Sequence, residues 1–373
     1  MRLHPLDAVL GAVMRRRAVV GWRPRPMAEF DPARVRRILA VSSTAIGDTL
    51  FATPAWRALR LRYPEARIVG HLRDKVAPLF ADSPHLDAII PYAGGYRRFL
   101  RTVGRLRRER FDLALVFHGT GPQVIPMAVL SGAPFVVRIP NGGDYGYLLS
   151  NAEPPADRPH PGEHAIQCRL RIAGLADAKS GDVRLVLPVD DRDRERAAEL
   201  LRGAGVDPAA PLLGLVPGAA AAFKRWPADR FVAVARTVMA GRGEWRVVVL
   251  GTPSERRLAD AVAAAVGPSA LSLAGRLDLL TLRGLVAGMR LLLTNDTGPL
   301  HIAVAVGTPT VSLFGATESR GTGPLQDPER HTVIQRPLPA WHTTNIQRRS
   351  PLPMLRIDVD EVVAACEALL RGC

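Results

Sequence analysis

The chain has few of the residues that mark several common protein classes. Its three cysteines, Cys168, Cys366 and Cys373, are too scattered for a zinc cluster or a disulfide framework. Aromatic residues make up 5% of the chain and are not interleaved with the basic runs, unlike the stacking surfaces that bind single-stranded nucleic acid. No apolar run reaches about 18 residues, so a transmembrane helix is not expected. These absences favour a globular protein in a reducing, cytoplasmic setting.

Lysine is also scarce, although the net charge is +15. Lys75, Lys179 and Lys224 are the three lysines, so arginine supplies nearly all the positive charge. Residues 1–110 hold 22 basic and 9 acidic residues, a net of +13, whereas residues 111–373 hold 28 and 26, a net of +2. A codon bias toward arginine does not explain this asymmetry. The uneven distribution of charge predicts an anionic partner for one part of the chain.

The first 35 residues are expected to form a basic extension. Their short apolar run is followed by Arg15-Arg16-Arg17, where a signal peptide would have small residues before its cleavage site. Two interpretations remain open, a short amphipathic anchor at a membrane surface and a disordered tail. The tail is the preferred interpretation at this point.

From residue 36 onward, short apolar runs alternate with helical segments, which is the pattern of parallel βαβ units. Strands are predicted at 38–41, 66–70, 88–91, 113–117, 135–139, 212–216, 246–250, 291–294 and 310–314. Helical segments are predicted at 49–62, 75–80, 96–110, 164–173, 299–306 and 359–370, with a loop at 141–161 and a helix and linker at 188–211. At about 150 residues per domain, this pattern indicates an α/β fold of two domains, 36–190 and 205–350, with a cleft between them.

A first candidate site follows the first predicted strand, in Ala45-Ile46-Gly47-Asp48-Thr49. Ligands of open parallel sheets bind beyond the carboxyl ends of the strands, and Gly47 permits a close backbone approach. Asp48 lies where a helix opens, and aspartate is a favoured N-cap. On this motif alone, the cap is the better interpretation. The G-x-G-x-x-G dinucleotide fingerprint is absent.

A second candidate site follows the strand at 212–216. Pro217-Gly218 is followed by Phe223-Lys224-Arg225-Trp226-Pro227, which places two cations before a helix. Cations beside a helix N-terminus suit a diphosphate, because charge and backbone N–H groups act together. The alternative is a solvated charged loop above a packed Trp226. The spacing favours the anion site.

A third candidate site is the strand-to-helix turn Thr294-Asn295-Asp296-Thr297-Gly298-Pro299-Leu300-His301. The N–H groups of Thr297 and Gly298 would point at an anion, and His301, one turn into the helix, could face the same ligand. A weaker candidate, His118-Gly119-Thr120-Gly121, follows the fourth strand. Walker A, G-x-S-x-G and H-E-x-x-H motifs are absent from the sequence.

The three motifs, in this order and spacing, resemble the ADP-heptose:lipopolysaccharide heptosyltransferases, glycosyltransferase family 9. The matching stretches are ILAVSSTAIGDTLFATPAWRALRLRYPEARI, GLVPGAAAAFKRWPADRF and LLLTNDTGPLHIAVAVGTPTVSLFGATE. The resemblance covers residues 36–370. It implies a GT-B fold, two Rossmann-like domains with parallel sheets facing a central cleft, with a C-terminal helix at 357–371 that packs back on the first domain. It also implies inverting heptose transfer without a metal or another cofactor.

The resemblance also assigns roles to individual residues. Asp48 matches the general base and Lys224 the diphosphate-binding lysine, which reverses the preference for Asp48 as a cap. Four residues match the donor-binding loop of the family: Asp296, Thr297, Gly298 and His301. Glu255 matches an acidic residue near the nucleoside ribose. Members of the family often carry a basic residue where this chain has Ser42.

The acceptor is expected to bind the first domain, which carries most of the excess positive charge. The residues assigned to the acceptor side are Gly47, Thr49, His118, Arg97, Arg98 and Arg101. The helix at 97–110 holds seven arginines and one acid, which suits phosphate or carboxylate groups of an anionic glycan or glycolipid, or the inner membrane surface. A solvated helix face explains most of these arginines equally well.

Two other functions are weighed against heptose transfer from ADP-heptose to a lipopolysaccharide inner core or related glycan. The first is the same fold with another nucleotide sugar, or with a small-molecule or secondary-metabolite acceptor. The second is nucleic-acid binding, which the sequence pI near 10.9 suggests. Because no known nucleic-acid motif is present, nucleic acid is not expected as a partner.

Overall fold

The computed structural model describes residues 4–21, 23–139, 145–151, 162–338 and 350–372. The chain divides into two compact units, with the border between Val183 and Arg184. Eleven strands are described: β1 Arg37–Ser42, β2 Arg67–Leu72, β3 Ala88–Ile89, β4 Leu113–His118, β5 Phe135–Val137, β6 Leu212–Val216, β7 Arg246–Val249, β8 Ala270–Ser272, β9 Leu291–Asn295, β10 Thr310–Phe314 and β11 His331–Gln335.

Fourteen α-helices are described in the same residues. They are α1 Pro5–Val19, α2 Ile46–Leu50, α3 Thr53–Arg62, α4 Phe99–Arg108, α5 Val124–Leu130, α6 Ala165–Leu175, α7 Asp191–Gly203, α8 Ala228–Met239, α9 Arg256–Val266, α10 Leu279–Ala287, α11 Gly298–Val306, α12 Ser319–Thr322, α13 Leu352–Leu355 and α14 Val359–Arg371. Short 3-10 turns occur between several of them. None of the described helices is both long enough and apolar enough to cross a membrane.

The first unit contains a five-stranded parallel sheet in the order β3-β2-β1-β4-β5. After their first residue, β1 and β2 are buried throughout, as expected for strands covered by helices on both faces. The predicted helix at 49–62 is two helices, α2 and α3. Pro54 cannot donate to the carbonyl of Leu50 and would clash with it, and the Thr53 hydroxyl donates to that carbonyl instead at 2.8 Å.

The N-terminal extension is part of the first unit, so the prediction of a disordered tail is wrong. Leu10, Met14 and Ala18 follow one another at four-residue spacing in α1 and are buried in the core of this unit. The Tyr96 hydroxyl donates to Asp7 Oδ1 at 2.6 Å, which fixes the helix to the segment before α4. Burial of an apolar row, rather than intrinsic preference, stabilises this helix.

The second unit contains a six-stranded parallel sheet in the order β11-β10-β9-β6-β7-β8. Its core includes the side chains of Trp226 and Phe231, whose rings pack edge to face with centroids 5.2 Å apart. Helix α7, predicted together with a linker between domains, packs against α10 in this unit. The buried carboxylate of Asp193 in α7 accepts from Arg283 Nε of α10 at 2.6 Å.

The C-terminal helix α14 packs against α8 within the second unit, with Val362 and Cys366 buried in that unit's core. Its expected packing on the first domain stays a prediction. The carboxylate of Glu367 accepts two hydrogen bonds from Arg242, of 2.9 and 2.7 Å. The apolar face of α14 is therefore occupied by α8. The predicted α/β fold with two parallel sheets is confirmed.

Candidate active site

The candidate site of the first unit lies where the strand order of its sheet reverses. Strand β1 has β2 on one side and β4 on the other, and ligands of such sheets bind beyond the carboxyl ends of the strands at this switch point. A register shift between Val41 and Ser42 pairs Ser42 with His118. Because of this bulge, His118, at the end of β4, lies beside the segment that carries Asp48.

Asp48 lies in α2, directly beyond β1, and does not cap this helix. The N-cap is Ala45, which provides no side-chain cap, so the cap interpretation is wrong. Three side chains surround the carboxylate. Asp48 Oδ2 accepts from the Thr44 hydroxyl at 3.2 Å, Asp48 Oδ1 accepts from an Arg169 NH2 group at 3.2 Å, and His118 Nε2 lies 3.6 Å from Oδ1. The side chain is 29% exposed, so the carboxylate remains accessible.

His118 is neutral at physiological pH. The pKa of its imidazole is lowered to about 4, because burial, with a contribution from nearby Arg169 and Arg138, outweighs the opposing effect of Asp48. Its Nδ1 lies 2.7 Å from the Thr44 hydroxyl oxygen. Thr44 therefore contacts both Asp48 and His118, and the three side chains form one polar network at the carboxyl edge of the sheet.

Two residues assigned to the acceptor side, Gly47 and Thr49, are buried in the first unit. Thr49 is fully buried, and its hydroxyl donates to the carbonyl of Ala45 at 3.0 Å. Gly47 is buried within α2. Ser42 is also fully buried and its hydroxyl lies 3.4 Å from that of Thr49. These three residues position α2 beyond β1.

The arginines assigned to the acceptor side lie elsewhere in this unit. Arg97 and Arg98 directly precede α4 and Arg101 lies within it, and all three are exposed. The opposite face of α4 buries Phe99, Val103 and Leu106 in the core. None of the described contacts of Asp48 involves these arginines, so the structure does not bring them together with the Asp48 network.

The candidate site of the second unit also lies at a switch point. Strand β6 has β7 on one side and β9 on the other. Lys224, in the loop after β6, donates from Nζ to Asp296 Oδ2, beyond β9, at 2.7 Å. The Thr317 hydroxyl, in the loop after β10, donates to the same oxygen at 2.9 Å. The second and third sequence motifs therefore meet at one edge of the sheet.

Asn295 holds the two loops of this site together. Its side-chain nitrogen donates to the carbonyls of Pro217 and Gly218 at 3.0 and 3.2 Å, and its side-chain oxygen accepts from the N–H of Trp226 at 3.1 Å. Arg225 donates from Nε and NH2 to the carbonyl of Ala219, at 2.9 and 2.8 Å. Of the two cations predicted for a diphosphate, Arg225 therefore fixes the loop and Lys224 lies at the switch point.

The third motif forms the start of α11. Thr297 is the N-cap residue without a side-chain cap, and its hydroxyl oxygen lies 3.2 Å from that of Thr294. Asp296, Thr297 and Gly298 are partly exposed, so the first N–H groups of this nine-residue helix border the same edge as Lys224. His301 is buried, with 6% of its surface exposed. Its contact with a ligand stays a prediction.

Glu255 lies beside the first loop of this site. Its Oε2 accepts from the N–H and the hydroxyl of Thr252, at 2.9 and 2.8 Å. A Cβ atom at Gly218 would overlap the Glu255 carboxylate, so the glycine is required for this close approach. No cluster of three or more His, Cys, Asp or Glu side chains suited to a metal occurs in the described ranges.

Sequence reasoning named most of these side chains but missed three that shape the two networks. Thr44 lies one residue before the quoted Asp48 motif, and Thr317 lies in the matched stretch that ends in GATE. Both could have been found as hydroxyl residues that follow strands. Arg169 lies in α6, 121 residues from Asp48, and carries no sequence signal of this contact.

The fold and comparisons with known proteins define the class of the molecule. The structure of Escherichia coli ADP-heptose lipopolysaccharide heptosyltransferase II has a TM-score of 0.72 to this chain at 22% identity, covering 90% of this chain and 99% of that one. This likeness shows a shared GT-B fold. The protein is a glycosyltransferase. The profile of glycosyltransferase family 9 (heptosyltransferase) matches residues 99–350, and the chain belongs to this family.

Two curated relatives extend the match. Lipooligosaccharide heptosyltransferase 2 of Haemophilus influenzae is 26% identical over 317 residues, which are 80% of this chain and 88% of the relative. Lipopolysaccharide heptosyltransferase 1 of Pseudomonas aeruginosa is 27% identical over 373 aligned positions, which cover 90% of this chain and 98% of the relative. The similarity therefore includes the ranges of both candidate sites.

Proposed function

We propose that the enzyme transfers heptose from ADP-heptose to an anionic acceptor, a lipopolysaccharide inner core or a related glycan, with inversion and without a metal ion. The names of the relatives support the sugar and the acceptor class. The observation that carries the proposal is the placement of two charged groups. A part-exposed carboxylate, Asp48, lies at the switch point of one sheet, and a lysine ammonium, Lys224, lies at that of the other.

Asp48 is proposed to act as the general base. Its carboxylate accepts the proton of the acceptor hydroxyl while that oxygen attacks the anomeric carbon. A single displacement of this kind inverts the anomeric configuration. A positioned base contributes about 10²–10⁴-fold to the rate. His118, neutral and 3.6 Å away, leaves the carboxylate free to take up this proton.

Lys224 and the start of α11 are proposed to stabilise the leaving group. Departure of ADP places negative charge on its β-phosphate, and the ammonium of Lys224 with the N–H groups at Thr297–Gly298 supplies positive charge at this edge. Loss of one such donor costs ~3–4 kcal/mol of barrier in well-studied enzymes. Asp296 accepts from the lysine ammonium and is itself held by the hydroxyl of Thr317. Glu255 is proposed to accept from a hydroxyl of the nucleoside ribose.

A donor screen tests this function. The purified full-length chain is mixed with ADP-, UDP- and GDP-sugars, and the melting temperature and the release of nucleotide are measured. We expect ADP-heptose to raise the melting temperature and to be turned over equally well with and without a chelator, and NMR of the product to show inversion. Turnover of a UDP- or GDP-sugar alone, or loss of activity in chelator that added metal restores, would contradict the proposal.

The acceptor is proposed to be a glycolipid at the inner membrane surface. The exposed face of α1 is proposed to contact that membrane surface. Leu6, Val9 and Val13 follow at helical spacing and are 42%, 56% and 45% exposed, and the exposed Arg15 and Arg16 follow. Apolar side chains next to cations suit an anionic bilayer. The predicted cytoplasmic location stays a prediction.

Vesicle flotation tests this contact. Binding to vesicles with anionic lipid should exceed binding to phosphatidylcholine vesicles, and Val9→Asp with Val13→Asp should reduce it. Leu61→Asp is the matched control, because Leu61 is 73% exposed on α3 in the same unit. Equal binding of the double variant and the unaltered protein would exclude α1 as the contact surface.

A further inference from the structure

Arg169 is a buried cation whose guanidinium spans two partners. One NH2 group donates to Asp48 Oδ1 at 3.2 Å, and the NH1 group donates to the carbonyl of Ala165, one turn earlier in α6, at 2.8 Å. The guanidinium carbon lies 5.7 Å from the centre of the Phe51 ring. The side chain is 6% exposed, and α6 packs against both α3 and β4. These contacts hold the guanidinium in one place and orientation.

Asp48 is faced by groups from three elements. Thr44 lies in the segment before α2, His118 at the end of β4, and Arg169 on α6. The hydroxyl carries no charge, and burial keeps the pKa of His118 at about 4, so His118 is neutral at physiological pH. Arg138 donates to the carbonyl of Gly119 at 2.9 Å. In the part of the chain that the structure describes, Arg169 is the charged group in contact with the carboxylate.

The two carboxylate oxygens of Asp48 have different surroundings. Oδ1 accepts from the buried guanidinium, whereas Oδ2 accepts from the hydroxyl of Thr44. A guanidinium fixed on Oδ1 restricts the rotation of the carboxylate. A base is effective when it is held within hydrogen-bond reach of its proton donor. That orientation depends here on a side chain that is itself too buried to reach an acceptor.

We propose that Arg169 is a positioning residue that orients the Asp48 carboxylate, so that Oδ2 is directed at the acceptor hydroxyl. This inference rests on the proposed function, in which Asp48 is the base. The guanidinium is required rather than charge alone, because its planar fork reaches Asp48 and the Ala165 carbonyl together. A lysine ammonium at this position supplies the charge and loses one of the two contacts.

Kinetics of Arg169→Met and Arg169→Lys test the proposal, with donor and acceptor both varied. For Arg169→Met we expect kcat to fall at least about 100-fold and the donor KM to change little. Arg169→Lys should recover part of kcat, because it restores one of the two contacts of the guanidinium. Arg171→Met is the matched control on the same helix, since Arg171 pairs with Glu163 and has no described contact with Asp48.

The outcomes separate this proposal from the proposed function. Full activity of Asp48→Asn would overturn the role of Asp48 as base, and the positioning role with it. An inactive Asp48→Asn together with a folded Arg169→Met that keeps kcat would overturn the positioning role alone. Circular dichroism and the melting temperature report folding. If the methionine variant does not fold, the lysine variant decides, because an unchanged kcat there contradicts the need for the guanidinium fork.

Discussion

The main-chain N–H of Trp226 donates to the side-chain oxygen of Asn295, 69 residues further along the chain, at 3.1 Å. Lys224 is two residues before Trp226, and Asp296 directly follows Asn295. The hydrogen bond therefore fixes the distance between the two backbone segments that carry the Lys224–Asp296 ion pair. Trp226 is 1% exposed and Asn295 is fully buried, so water does not compete for this bond.

Replacing Asn295 should affect both stability and donor binding. Asn295→Ala leaves the N–H of Trp226 and the carbonyls of Pro217 and Gly218 without this partner, and a buried unpaired polar group costs about 1–3 kcal/mol. We expect a free energy of unfolding lower by about 2–4 kcal/mol in urea titrations and a higher donor KM, because the Lys224 loop loosens. An unchanged donor KM in a destabilised variant would show that the loop keeps its position without Asn295.

Replacing Lys224 should weaken the binding of ADP and of the donor. Lys224→Met removes a positive charge that we place on the diphosphate, and a hydrogen bond to a charged group contributes about 1.5–3 kcal/mol. Calorimetry should show Kd for ADP raised about 10- to 100-fold. Lys179→Met is the matched control, because Lys179 is an exposed lysine of the first unit. Equal ADP affinity of the Lys224 and Lys179 variants would remove Lys224 from the diphosphate site.

The ion pair between Arg283 and Asp193 should be costly to break from one side. The two side chains are 1% and 2% exposed, and the loss of one partner leaves a buried charge. Such changes destabilise proteins by about 3–5 kcal/mol. We expect Arg283→Met to lower the urea midpoint strongly and the double variant Arg283→Met with Asp193→Leu to recover most of the loss. A double variant as unstable as the single one would mean that packing between α7 and α10, and not charge, sets the cost.

Acid should destabilise the first unit through His71. Burial lowers the pKa of His71 to about 4 from its ordinary 6.5, and the side chain contacts the Ile90 carbonyl through Nδ1 at 2.8 Å. The unfolded chain therefore binds a proton that the folded chain resists, and stability is lost as pH falls from about 6.5 to 4. The loss reaches about 3 kcal/mol for this group.

His71→Asn provides the comparison for that prediction, since its amide can donate to the Ile90 carbonyl and does not titrate. Urea midpoints measured from pH 7 to pH 4 should fall less steeply for the variant than for the unaltered chain. Parallel curves would assign the acid sensitivity to other groups, among them His331, whose pKa burial also lowers to about 4.

The strands were predictable because parallel strands buried on both faces are short apolar runs bounded by turn residues. The predicted strands at 212–216 and 310–314 match β6 and β10, and the one at 291–294 ends one residue before β9 does. For the segment of α1 the sequence left an amphipathic anchor and a disordered tail open, and it did not indicate that Leu10, Met14 and Ala18 are buried in the core. The C-terminal helix was identified correctly, but an amphipathic pattern does not specify which core covers it.

The candidate sites were predictable to the extent that their residues lie in turns after strands. Lys224 and Asp296 belong to two motifs, and the switch point of the second sheet explains why these motifs meet. The sequence did not indicate that Thr49, assigned to the acceptor side, is fully buried. The contact of Arg169 with Asp48 depends on the packing of α6 against α3 and β4. No local pattern encodes such a long-range contact.

The burial of α1 limits how far this enzyme can be shortened. The family profile begins to match at residue 99, and a chain trimmed to the family motifs would lose Leu10 and Met14 from the core cluster that they share with Phe99 and Val103. Removal of a single buried leucine or methionine side chain costs about 2–5 kcal/mol. A trimmed enzyme would expose the apolar surface that α1 covers and would aggregate. The segment needed to fold the first unit therefore begins before the residues that the family profile matches.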